Sequence, residues 1–183
     1  MFRRSRLVPP MLAVLAFAAV ALTVSACGYE SHETEVVEGE PVELGELSYN
    51  AIFSRYLNPN DNEDSAYLVG QPPPPKGSTY FGVFFEVQNE SEEPQVLADS
   101  MTIEDADHHE FEALPSESLY ALPLGGEVES QEQVPILDST AEQGTIEGSL
   151  VLFLLPDSAS EARPLTLSIP GTDKEDGQVT LDL

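Results

Sequence analysis

The sequence predicts an all-β protein, an antiparallel β-sandwich of about seven to eight strands spanning residues 42–183. Three observations predict it. Phe81, Val83, Phe85 and Val87 alternate along the segment Tyr80–Asn89, the period-2 pattern of a strand with one buried face. Ser149–Leu155 is a continuous apolar run bounded by Gly148 and Pro156, the mark of a strand buried on both faces. Turn-forming clusters break the rest of the chain at short intervals, with almost no helical periodicity between them.

The chain opens on a different pattern. Arg3, Arg4 and Arg6 precede an apolar stretch, Met11–Val24, that is followed by small residues and by Cys27, the single cysteine. A basic start, an apolar middle and a small-residue cut site are the parts of a secretory signal. The apolar stretch is about 14 residues, short of the roughly 20 that a spanning helix requires. Val24-Ser25-Ala26-Cys27 resembles the lipobox of bacterial lipoproteins. That resemblance implies cleavage after residue 26 and a diacylglycerol on the Cys27 thiol, and two acyl chains anchor stably where one does not. The expected location is extracytoplasmic, on the outer face of the bacterial cytoplasmic membrane. In a two-membrane host, the Gly28 that follows the cysteine resembles cargo sent on to the outer membrane.

Without residues 1–26, four basic residues (Arg55, Lys76, Arg163, Lys174) face 33 acids, a formal charge of −29. Nucleic-acid binding needs clustered cations and is excluded on this balance, as is adsorption to anionic lipid through charge. Residues 27–41 are acidic and poor in large apolar side chains, and they read as a lipidated, disordered tether.

Weaker strands follow in the remaining segments, roughly 43–57, 95–98 leading into 101–104, 110–114, 127–134, 164–169 and 178–183. Turns separate them at Asp105-Ala106-Asp107, at Leu124-Gly125-Gly126 and at Pro170-Gly171-Thr172-Asp173. The apolar strand running into Asn89-Glu90-Ser91 resembles the telokin-like, immunoglobulin-like domain of bacterial lipoproteins of unknown function. So do Met101–Asp105, the stretch Gly148–Pro156 and the closing segment Pro164–Ile169. The resemblance covers about residues 44–183. It implies an exported immunoglobulin-like sandwich and carries no catalytic residues over; His108-His109 stand where that family often has glycine.

Three places invite a functional reading. The connection 58–78, about 21 residues without strand pattern, is long enough to be functional. Its Asp61, Glu63 and Asp64 are hard oxygen donors close together, as calcium requires, though without EF-hand spacing. The bland alternative is an acidic surface loop docked by Tyr67 and Leu68, with Pro72–Pro75 as a stiff spacer. Tyr80 and Phe84 make the second face of their strand apolar, so they form either an exposed partner-binding patch or a surface that the long loop covers. His108 and His109 sit among acids, but neighbours on a strand point to opposite faces, and a polar hairpin tip explains them. No Gly-x-Ser-x-Gly elbow or Ser-x-x-Lys pair is present, and none of the three histidines stands in a catalytic motif with a nucleophile. The sequence therefore points to a non-enzymatic, membrane-anchored interaction module with a possible envelope-protein partner, and alternatively to a calcium-binding lipoprotein.

Overall fold

The computed structural model describes residues 32–171 and 175–181. The leader 1–26, Cys27 and residues 28–31 of the expected tether lie outside the described residues, as do 172–174 and 182–183. Among the described residues, no helix is long and apolar enough to cross a membrane.

The expected β-sandwich is present. One sheet has the order β1-β12-β11-β6-β7, formed by His32–Val37, Glu175–Leu181, Leu165–Pro170, Thr102–Glu104 and Glu110–Glu112. The other has the order β10-β4-β3-β2, formed by Ser149–Pro156, Ser78–Asn89, Leu47–Leu57 and Pro41–Leu44. Within it the short β9 (Gln133–Val134) also pairs with β4, while β5 (Gln95–Val96) and β8 (Glu127–Val128) form a two-stranded ribbon. Among the described residues there are twelve strand segments, more than the expected seven or eight because several are only two or three residues long.

The two clearest sequence signals form the centre of the second sheet. β4 and β10 pair antiparallel with Phe81 opposite Phe153 and Val83 opposite Val151. Those side chains, with Phe85, Val87 and Leu155, pack against Ile103, Leu165, Leu167, Ile169 and Val179 of the facing sheet. The alternation seen in the sequence is thus the inner face of the sandwich.

The strand expected over 127–134 is two short ones, β8 and β9, separated by a turn and paired with different strands, and two further boundaries differ from expectation. The single strand expected over 43–57 is a hairpin, β2 and β3, turning at Gly45-Glu46, where Gly45 has φ 64°. A positive φ at that position suits glycine, which carries no Cβ to clash. Within β3 the register shifts between Ala51 and Phe53. Leu47, Tyr49 and Ala51 face the inter-sheet core before this bulge, and Tyr56 packs against it afterwards. Leu57 accordingly turns to the opposite face. An extra residue reverses which parity points inward.

The second difference lies in the expected tether. Residues 32–37 are strand β1, parallel to β12 from His32 opposite Glu175 to Val37 opposite Thr180. Polar composition suggested disorder, but an edge strand needs few apolar residues because β12 satisfies its backbone and only one face packs. Val36 supplies that packing. The following turn is fixed by Glu38, whose carboxylate accepts from the Ser54 backbone N–H at 3.1 Å and from the Ser54 hydroxyl.

Candidate functional site

The outer face of the β10-β4-β3-β2 sheet carries a second apolar cluster: Leu57, Tyr67, Leu68, Tyr80, Phe84, Leu150 and Leu152. Gly82 lets it close, since a Cβ there would stand 2.8 Å from a Leu150 methyl and 3.2 Å from one of Leu57. The cover comes from the long connection 58–77, which folds into one short helix, α1 (Asn62–Tyr67). Tyr67 packs edge-on against Phe84 with ring centroids 5.1 Å apart, and edge-on against Tyr120 at 4.8 Å. Phe84 is 0% exposed and Tyr80 2%. These two residues, candidates for an exposed partner patch, are therefore core. The loop covers them, with Tyr67 of α1 packed directly on Phe84.

The three acids of the same loop hold this cover in place. Asp61 is the N-cap of α1 and accepts from the backbone N–H of Glu63 at 2.8 Å and of Asp64 at 3.3 Å. Such a cap satisfies helix-start donors that would otherwise be orphaned. Asp64 is buried, accepts from the Asn58 N–H at 2.7 Å and pairs with the Arg55 guanidinium. Glu63 pairs with the same guanidinium at 3.0 Å. The Arg55 guanidinium carbon lies 5.9 Å from the Tyr67 ring centroid, tying strand β3 to α1. Asp61, Glu63 and Asp64 are engaged by backbone donors and a cation of their own chain, which is a capping and docking arrangement. Among the described residues, no group of three or more His, Cys, Asp or Glu side chains converges as a metal site would require.

His108 and His109 lie at the tip of the β6-β7 hairpin, and His108 has φ 63°, in the left-handed region. They engage separate carboxylates: His108 pairs with Glu104, and His109 lies 3.1 Å from Asp105. Asp105 is the organising residue. Its Oδ1 accepts from the backbone N–H of Asp107 at 2.9 Å and of His109 at 3.0 Å. The His109 N–H, then the His109 ring and the Asp107 N–H, hold its carboxyl below the usual value of 3.8, against the opposing pull of desolvation. The bond from Glu104 is the main influence raising His108 above 6.5. The tip is a self-satisfied polar turn.

The two ends of the sandwich differ. One carries the start of β1, the Gly45-Glu46 turn and Pro170-Gly171, and there Pro170 and Gly171 border a shallow apolar depression with Leu44, Leu47 and Tyr49. The other carries α1, the four-proline run and the Lys76-Gly77 turn, joined to the end of β10 where the Asp157 N–H donates to Gly77 O at 2.9 Å. At this second end the exposed run Pro72–Pro75 borders a groove of about 430 Å³ floored by Leu68 and Tyr80. From composition alone this run reads as a spacer; its signal as a surface is the absence of acids around it.

Among solved structures, the chain is similar to an uncharacterised β-sandwich protein from Clostridium difficile 630, with a TM-score of 0.51 and 14% identity over 82% of this chain and 95% of that one. It is also similar to the yjhA protein from Bacillus subtilis, with a TM-score of 0.53 and 14% identity over 80% and 99%. The fold is a β-sandwich. At this identity the likeness shows the fold alone. No protein-family model matches the chain, and no curated protein matches it.

Proposed function

We propose that this protein is a lipid-anchored, extracytoplasmic lipoprotein whose β-sandwich acts as a non-enzymatic interaction module. The observation that supports this reading is the position of β1. Between Cys27, the lipobox cysteine, and His32, the first residue of β1, stand only Gly28, Tyr29, Glu30 and Ser31. Five residue steps reach at most about 17 Å even when fully extended. A diacylglycerol on Cys27 would therefore keep the β1-start end of the sandwich at the membrane surface and direct the end bearing α1 and the prolines outward. The span between the ends is that of β3, 11 residues or roughly 35 Å of strand. The surroundings of the candidate acids and histidines favour a role played by the surface, since each is engaged in holding a turn or a loop.

Expression of the full chain in a bacterial host, with intact-mass analysis of the purified protein, tests the anchor. The expected product begins at Cys27 and carries the added mass of a diacylglycerol. The Cys27→Ser variant is expected to leave the membrane fraction. A wild-type chain that keeps residues 1–26, or that lacks lipid on Cys27, overturns the reading.

A further inference from the structure

We propose that the exposed strip Val69–Gly77 is a docking ligand for a protein partner whose groove is lined by aromatic side chains and flanked by a carboxylate, the prolines filling the groove and Lys76 pairing with the acid. This rests on the interaction-module reading above and names the surface and the partner chemistry.

Four observations carry it. Gln71, Pro72, Pro73 and Pro74 each precede a proline, which restricts them to extended backbone, and each proline ring fixes its own φ. The strip is therefore a preformed extended ligand that loses little entropy on binding, the property aromatic-lined grooves exploit. The fold holds it at both ends: the Tyr80 hydroxyl donates to Pro72 O at 2.8 Å, the Gln71 amide to Pro115 O at 2.7 Å, and the Ser78 N–H to Pro75 O at 3.1 Å. Those bonds engage the strip's carbonyls and the Gln71 amide while the Pro72, Pro73 and Pro75 rings stay exposed, as does Val69.

Charge is the fourth observation. Ser65 to Phe85 contains no acid, a break of 21 residues in a chain with 33 Asp and Glu. In space the Glu117 carboxylate lies beside Gly70, and the Asp157 carboxylate accepts from the Thr79 hydroxyl at 3.1 Å. Lys76 is exposed and, among the described residues, has no carboxylate partner, whereas Arg55 is held by Glu63 and Asp64. A cation with no carboxylate partner beside an apolar ridge, on a strongly acidic protein, selects a partner that offers an apolar groove and one negative charge.

The test places a photo-crosslinking amino acid at Val69 of the full chain in intact cells, with control probes at Glu112 and Leu137, both exposed and outside the strip. The expected result is one protein adduct from position 69, absent at the controls, whose crosslinked peptide maps to a groove containing Trp, Tyr or Phe. A Lys76→Glu change in the same chain, with an unchanged melting temperature, is expected to reduce the adduct on the order of tenfold. A synthetic peptide of residues 71–77 is expected to compete for it, a measurement that depends on no variant folding. An adduct with lipid or with a second copy of this chain overturns the proposal. Indifference to both Lys76→Glu and the peptide does the same. Adducts only at Glu112 or Leu137 remove the strip but leave the interaction module standing, while no protein adduct at any position removes both.

Discussion

Asp64 shows how a carboxylate in an acidic loop can be structural. It is 3% exposed, and its two oxygens serve the Asn58 N–H and the Arg55 guanidinium. Replacing it with Ala strands the Asn58 N–H and leaves the Arg55 guanidinium with Glu63 alone, and a buried donor left unpaired costs about 1–3 kcal/mol. Asp64→Ala is expected to lower the free energy of unfolding by about 1–3 kcal/mol in urea titrations. The same loss is expected with calcium or with chelator; a loss that calcium addition governs would return the loop to metal binding. The Asp105 turn predicts a pH dependence. Its folded carboxyl is held below 3.8, so its stabilising effect is complete above the unfolded value and disappears as pH falls through the lower folded one. His108 acts in the opposite sense: its value is raised above 6.5, so its effect is complete below 6.5 and disappears as pH rises through the folded value. Asp105→Asn is expected to flatten the steep part of the stability curve below pH 3.8, while His108→Gln flattens a shallow decline above pH 6.5. Unfolding midpoints measured across pH 2–9 check both slopes; an unaltered curve in either variant removes that residue's part.

At the level of the element, α1 is the lid of the outer apolar cluster, and Tyr67 is its plug. Six residues cannot sustain a helix in water alone. The Asp61 cap and the packing of Tyr67 on Phe84 and Tyr120 therefore make the segment fold. Tyr67→Ala would remove about the side-chain volume whose loss costs 3–5 kcal/mol in other cores. The expected outcome is local: α1 opens, the connection 58–77 becomes the first site cut by protease, and the sandwich between the sheets persists. A Tyr67→Ala protein with wild-type protease resistance would show that α1 is not what covers Phe84. The same elements show what could be seen in advance. Strands β4 and β10 were legible because period-2 alternation and unbroken apolar runs are local signals. Strand β1 was not, since His-Glu-Thr-Glu-Val-Val has the composition of a linker and becomes a strand only through β12, more than a hundred residues away. The lid was half legible: Tyr67 and Leu68 stood out as apolar residues in a polar loop, which left the cover of Tyr80 and Phe84 as an open alternative. The acids of that loop were ambiguous in the sequence because cap, ion pair and calcium ligand draw on the same residue types.

At the scale of the whole molecule, charge exerts a collective influence that no single contact reveals. The full chain carries a formal charge of −26 at pH 7, with seven basic residues against 33 acids. Only Arg55, among the described residues, forms a Lys or Arg ion pair with a carboxylate. Such a surface repels itself, and compaction brings the charges closer than they stand in the unfolded chain. Exposed charges interact over roughly 30 Å at 0.01 M salt but only about 3 Å at 1 M. Salt should thus relieve the repulsion while barely touching the buried Asp64–Arg55 contact, which is less screened. The melting temperature is expected to rise steeply between 0.01 and about 0.15 M sodium chloride, where the screening length falls below the spacing of surface carboxylates, and to level off above it. Potassium and sodium should act alike if screening is the cause. A rise saturating at micromolar divalent cation would instead identify a discrete site. A melting temperature that falls with salt would mean that the surface is held together by ion pairs, contrary to the scarcity of cations in this chain.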